Sequence, residues 1–128
     1  MANAHILVIE DNDKNRKLAR DVLQYRGYRV SEAISAEDGL ALAAAEPPDL
    51  VLMDIQLPGM NGIQALERLR AGEATRAIPV VAFTASVMPQ DRHTIMGAGF
   101  NAFVSKPIAI KEFTDVIAQL LAGTYKGE

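Results

Sequence analysis

Glu10 and Asp11 follow the apolar run Ile6-Leu7-Val8-Ile9, and a third acid, Asp54, follows Leu50-Val51-Leu52-Met53. Acids at the ends of two strands repel one another unless something positive lies between them. Carboxylate oxygens suit Mg2+, a hard cation typically held by one or two carboxylates plus a phosphate. No His or Cys lies nearby in sequence to favour zinc. Thr84, ending Ile78-Pro79-Val80-Val81-Ala82-Phe83, offers a hydroxyl donor, and Lys106, after Ala102 to Ser105, offers a compact positive charge. Both suit a phosphoryl group. An aspartate can itself accept one, and the catalysis is then mostly positioning and charge neutralisation. Asp54 is the natural nucleophile, because Ile55-Gln56-Leu57-Pro58-Gly59-Met60-Asn61-Gly62 forms a stiff turn behind it.

The elements that must position these residues are legible as an alternation. The three apolar runs read as strands buried on both faces. Tyr28 to Ala33 and Ala102 to Ser105 are weaker strands, each after a glycine-containing turn. Between them, Leu18, Ala19, Val22 and Leu23 share one face of a first helix, on which Lys17 and Asp21 are spaced to pair. Ser35 opens an alanine-rich second helix that Pro47 and Pro48 end, and Asn61 with Gln64 opens a third that ends at Gly72. Pro89 suits the first turn of a fourth, and Phe113, Val116, Ile117, Leu120 and Leu121 form the stripe of a fifth. Strand then helix, five times, predicts an α/β, doubly wound fold with a parallel sheet. Ligands bind outside the carboxyl ends of such strands, where Glu10, Asp11, Asp54, Thr84 and Lys106 all fall.

Composition narrows the function. The chain has 128 residues, 49% of them hydrophobic, enough for a single domain over 1–128. After Gly123 only Thr124 to Glu128 remain, so no output domain is expected. A net charge of -3 argues against a nucleic-acid partner. The absence of cysteine excludes disulfides and thiol chemistry. No apolar run approaches the roughly 20 residues of a membrane span, and no secretion leader is visible, so a soluble, cytoplasmic protein is expected.

Each residue also has a plainer role when taken alone. Glu10 and Asp11 suit a solvated turn capping the first helix, and Asp54 suits an Asx-turn. Thr84 suits a strand, and Lys106 a snorkelling edge position. Their convergence on one edge favours chemistry. Asn61 and Gly62 are accounted for by helix capping, and His5 and His93 have no ligand-like spacing. Gly97-Ala98-Gly99 precedes a strand, so it is not a dinucleotide loop.

Glu10-Asp11-Asn12, Met53 to Gly62 around Asp54, Thr84-Ala85 and Lys106-Pro107, in this order over essentially the whole chain, resemble the receiver domain of two-component response regulators. The likeness is greatest to the stand-alone CheY and DivK type. The resemblance implies a flavodoxin-like sheet of order 2-1-3-4-5 and a cis Lys106-Pro107 bond. It implies that Asp54 accepts a phosphoryl group from a phosphohistidine on a sensor histidine kinase or histidine phosphotransfer protein. Mg2+ would be held by Asp11, Asp54 and the Gln56 backbone carbonyl, and by Glu10 through a water, while Lys106 and Thr84 hold phosphoryl oxygens. Thr84 and Phe103 would act as the switch. The face of the fourth helix, fifth strand and fifth helix would meet a downstream protein, with Met88, Ile95, Phe103 and Val104 as the residues to inspect. Asn12, Asn15, Leu18, Ala19 and Val22 on the first helix would dock the histidine-bearing partner. The molecule would be a monomer or a phosphorylation-dependent dimer, a switch and not a turnover enzyme. The likeness to DivK extends this to cell-cycle or polarity control.

Two positions depart from the CheY pattern: Gln56 stands in place of asparagine and Phe103 in place of tyrosine. A flavodoxin-type binder is disfavoured, because Glu10-Asp11 would repel a phosphate after the first strand. An aspartyl-phosphate hydrolase would usually place a second carboxylate where Gln56 stands. A phosphorylation-independent, receiver-like binding module remains the alternative.

Overall fold

The computed structural model describes residues 3–85 and 88–125. Three of its strands, β1 (His5–Ile9), β3 (Leu50–Asp54) and β4 (Val80–Thr84), are buried along their whole length, as continuous aliphatic runs covered on both faces must be. The edge strands β2 (Arg29–Ala33) and β5 (Ala102–Ser105) carry half-buried positions as well. All pair in parallel in the order β2-β1-β3-β4-β5, the doubly wound order that the resemblance implied.

Alternate strand residues feed two cores. Leu7, Ile9, Val51, Met53, Val80 and Ala82 pack on one face against α2 (Ala36–Ala45), α3 (Gly62–Ala71) and α4 (Pro89–Ala98). Ile6, Val8, Leu52, Val81 and Phe83 pack on the other face against α1 (Asp13–Tyr25) and α5 (Ile110–Ala122), through Ala19, Leu23, Phe113 and Ile117.

Helix starts follow local chemistry. The side chains of Asn12, Ser35 and Asn61 accept from the backbone N–H groups of Asn15, Asp38 and Gln64, and Gln64 Oε1 in turn accepts from Asn61 N, completing a capping box. Pro89 opens α4, and Gly123 closes α5 in the left-handed region at φ 76. Thr124 N then bonds to Gln119 O at 2.9 Å, and residues 126–128 of the expected tail lie outside the described residues.

Three local expectations need correction. β4 begins at Val80 instead of Ile78, since Pro79 has no N–H to donate to the ladder, although its carbonyl accepts from Val51 N. Leu18 is 40% exposed, so the apolar stripe of α1 is narrower than its sequence spacing suggested. Asp21 pairs with its neighbour Arg20 and, among the described residues, not with Lys17.

The register carries the site. Ile9 lies opposite Ala33 and Met53, Asp54 opposite Phe83, and Thr84 opposite Ser105. The residues at or just beyond the ends of β1, β3, β4 and β5 therefore fall along one edge.

Candidate functional site

Glu10 is fully buried, and its backbone N–H still bonds across to Ala33 O of β2. Its carboxylate accepts from Asn12 N at 3.0 Å through Oε2, while Oε1 lies 2.7 Å from Lys106 Nζ. Asp54, 3% exposed, accepts from Gln56 N at 3.0 Å and lies 3.1 Å from the same Lys106 Nζ, both through Oδ1. The Asx-turn geometry and the ion pair thus coexist on one carboxylate. Asp11 is exposed beside them. One oxygen from each of Glu10, Asp11 and Asp54 falls within a set whose members lie within 4.8 Å of one another. Three hard oxygen donors with no nitrogen or sulfur among them fit Mg2+ and do not favour zinc.

Burial and charge act on this cluster together. Desolvation pushes the Glu10 carboxyl up to about 7, against the lowering influence of Lys106 and the Asn12 N–H, and Asp54 adds to the rise. Burial by itself would lower the Lys106 ammonium, but Glu10 and Asp54 outweigh it and hold the pKa above the ordinary lysine value. Lys106 Nζ also lies 4.9 Å from the centroid of the Phe83 ring, so its position is set from below as well. Its backbone N bonds to Thr84 O at 2.8 Å, which ties the end of β5 to β4, and Thr84 itself is 3% exposed.

The turn behind Asp54 is shaped by Gly62, which sequence reasoning assigned to helix capping alone. A Cβ there would stand 2.7 Å from Asp54 O and 2.9 Å from Ile55 Cα, both backbone atoms that cannot swing aside. Gly62 N also bonds to Ile55 O at 3.1 Å. Gly62→Ala is expected to destabilise the fold by about 1–3 kcal/mol, the usual cost of overpacking, and to displace the Asp54 carbonyl. Urea unfolding and the Asp54 and Ile55 amide shifts check this; an unchanged midpoint would show that the turn relaxes freely.

The sequence-predicted residues Glu10, Asp11, Asp54, Thr84 and Lys106 all come to this edge, with Gln56 joined through its N–H and its side chain exposed. Phe103 is half-buried, with the Arg92 guanidinium 4.4 Å from its ring centroid. The Lys106–Pro107 peptide is cis. Other expected contact residues do not reach the surface. Ala19 is 0% exposed and cannot touch a partner on α1, while Ile95 and Val104 are core residues, leaving Met88 and Phe103 accessible on that face. Sequence reasoning missed Arg16, whose guanidinium donates to the Glu10 carbonyl at 3.0 Å. An arginine seven residues beyond a strand end carries no pattern that announces such a bond.

Residues 6–118 match the response regulator receiver domain family. The chain belongs to that family. The receiver is 40% identical over 116 residues to the polar-differentiation response regulator DivK of Brucella ovis, a match covering 91% of this chain and 94% of the relative. It superposes on the receiver domain of a Pseudomonas aeruginosa sensor histidine kinase with a TM-score of 0.86 at 33% identity, covering 95% and 99% of the two chains; that structure holds a magnesium ion coordinated in its active site cleft. The Vibrio cholerae chemotaxis protein CheY4, at 22% identity and a TM-score of 0.86 over 92% and 98%, shares the fold. The receiver is therefore a signalling domain of two-component systems, similar to DivK. Among the described residues, no helix is long and apolar enough to cross a membrane.

Proposed function

We propose that this receiver is a Mg2+-dependent phosphoacceptor switch in which Asp54 takes a phosphoryl group from a phosphohistidine on a sensor histidine kinase or histidine phosphotransfer protein. The observation that carries the proposal is Lys106 Nζ bridging two buried carboxylates, 2.7 Å from Glu10 and 3.1 Å from Asp54, beside the exposed Asp11. A fixed cation next to a buried nucleophile neutralises charge that develops as a phosphoryl group arrives.

An Asp54 carboxylate oxygen attacks phosphorus in line, the phosphorus–nitrogen bond breaks, and the histidine nitrogen keeps the electron pair. Lys106 and the Thr84 hydroxyl receive the phosphoryl oxygens. Asp11, Asp54 and the Gln56 backbone carbonyl would hold Mg2+, with Glu10 acting through a water. When bound, Mg2+ offsets the charge shared by the acids and the incoming phosphoryl oxygens. Thr84 and Phe103 then pass the change to the face of α4, β5 and α5, where a downstream protein binds. The likeness to DivK favours a cytoplasmic site of action and a role in cell-cycle or polarity control. Phosphorylation-dependent dimerisation is tested by sizing the protein before and after loading.

Intact mass after incubation with acetyl phosphate, with and without Mg2+, tests the proposal. One labile phosphoryl adduct that requires Mg2+ is expected. Absence of an adduct, together with an unchanged spectrum on adding beryllofluoride and Mg2+, would leave a phosphorylation-independent binding module.

A further inference from the structure

The β1 ladder ends at Ile9, which pairs with Ala33 and Met53, so the Glu10 carbonyl is the first on this strand without a pairing position in the sheet. It belongs to the peptide that leads into Asp11, so its orientation sets where Asp11 starts. Arg16 Nη1 donates to it at 3.0 Å.

The guanidinium is itself held from two other elements. Nη2 donates to Asp13 Oδ1 at 2.7 Å in the first turn of α1, and Nε lies 3.3 Å from Glu32 Oε1 on β2. Its side chain is only 16% exposed, although Asp13 is almost fully so. Arg16 therefore spans the end of β1, the start of α1 and the edge strand in one planar fork, a geometry that a lysine ammonium cannot reproduce. Arg20, one turn further along α1, also meets Glu32, at 3.4 Å, but is bonded to Asp21 and not to Glu10.

We infer that Arg16 is a positioning residue for the cation site: by holding the Glu10 carbonyl it fixes the peptide that presents Asp11 toward Glu10 and Asp54. The inference rests on the proposed reading of those acids as a Mg2+ site. It makes a prediction opposite in sign to simple electrostatics. Removing a positive charge close to a cluster of carboxylates strengthens cation binding by Coulomb's law. Removing a group that orients a ligand weakens it, commonly by about 10–100-fold.

Calorimetric titration of the full, metal-free chain with MgCl2 separates the two. Arg16→Met is expected to weaken Mg2+ binding by about tenfold or more. Arg16→Lys, which keeps the charge but loses the fork, also weakens it. Arg20→Met keeps the wild-type affinity or tightens it slightly. In metal-free NMR spectra, the Asp11 and Asn12 amides shift and exchange faster in Arg16→Met, while Asp54 and Gln56 keep their positions. If Arg16→Met does not fold, Arg16→Lys carries the test, since it keeps the charge and loses only the fork. Unchanged or tighter Mg2+ binding in the folded Arg16 variants overturns the inference and leaves the site's assignment intact. Failure of the wild type to bind Mg2+ overturns both.

Discussion

Asp54→Asn is expected to end phosphoryl incorporation completely and, without Mg2+, to make the receiver more stable. The amide keeps an oxygen at the Oδ1 position, so the bond from Gln56 N at 3.0 Å survives and the turn stays in place. What disappears is the proposed nucleophile and one negative charge. That charge lies within 4.8 Å of donor oxygens on Glu10 and Asp11 and 3.1 Å from Lys106. Two repulsions are relieved against one attraction lost, while Lys106 keeps Glu10 at 2.7 Å. With single pairs at such distances worth about 4 kcal/mol at an effective dielectric near 20, and partly cancelling, the net gain is of order 1 kcal/mol. The effect is largest above pH 7, where the Glu10 carboxyl, pushed up to about 7, is ionised. Urea unfolding at pH 8 without Mg2+ should show a higher midpoint for the variant, and added Mg2+ should reverse the ranking. An adduct surviving on Asp54→Asn would move the acceptor elsewhere. A midpoint falling at pH 8 would show that Asp54 serves the fold through Lys106 more than it strains it.

The site was legible because its residues cluster at one kind of position. Glu10, Asp54 and Thr84 lie at or just past the ends of aliphatic runs whose burial on both faces could be recognised from the sequence, and Lys106 follows the weaker edge strand β5. Parallel alternation of strand and helix then forces those ends onto a single edge. The caps at Ser35 and Asn61 were legible for a similar reason, since a local side-chain bond leaves a local pattern. Long-range side-chain bonds to backbone leave none. Arg70 donates to the carbonyls of Arg76 and Ile78 and to the Asn101 side chain, whose oxygen also receives Val80 N, so one guanidinium joins the end of α3 to the starts of β4 and β5. Arg16 does the same between α1, β1 and β2. Both arginines look like ordinary surface charges in the sequence. Surface faces were equally opaque: Ala19 and Leu18 are neighbours, yet one is fully buried and the other 40% exposed, a difference set by how α1 rolls on the sheet.

Lys106→Met should produce the largest loss of stability, and its size should depend on pH. The replacement keeps an apolar stem over the Phe83 ring but leaves Glu10 and Asp54, both buried, with no positive charge between them. Removing one partner of a buried ion pair typically costs about 3–5 kcal/mol. Part of that cost is avoided when a carboxyl takes up a proton. In the wild type, burial already raises the Glu10 carboxyl from 4.5 to about 7 even though Lys106 lowers it; without Lys106 it rises further. A carboxyl whose pKa is higher folded than unfolded binds more protons in the folded state. Its contribution to stability is present in full below the unfolded pKa and is lost as pH climbs through the folded one. The penalty of Lys106→Met is therefore small near pH 5 and grows as pH climbs above 7, where Glu10 ionises in the wild type before it does in the variant. Mg2+ replaces the missing charge and should restore much of the stability. It cannot replace a donor aimed at a phosphoryl oxygen, so phosphoryl uptake should remain slower by about 10²–10³, the usual effect of deleting one positioned donor. Urea midpoints at pH 5 and pH 8.5, with and without Mg2+, and rates of adduct formation from acetyl phosphate provide the comparison. A penalty independent of pH would mean that Glu10 stays ionised in the variant and that its burial is offset by something other than Lys106. Full recovery of the rate with Mg2+ would mean that Lys106 acts on the ground-state acids alone and not on the transferred group.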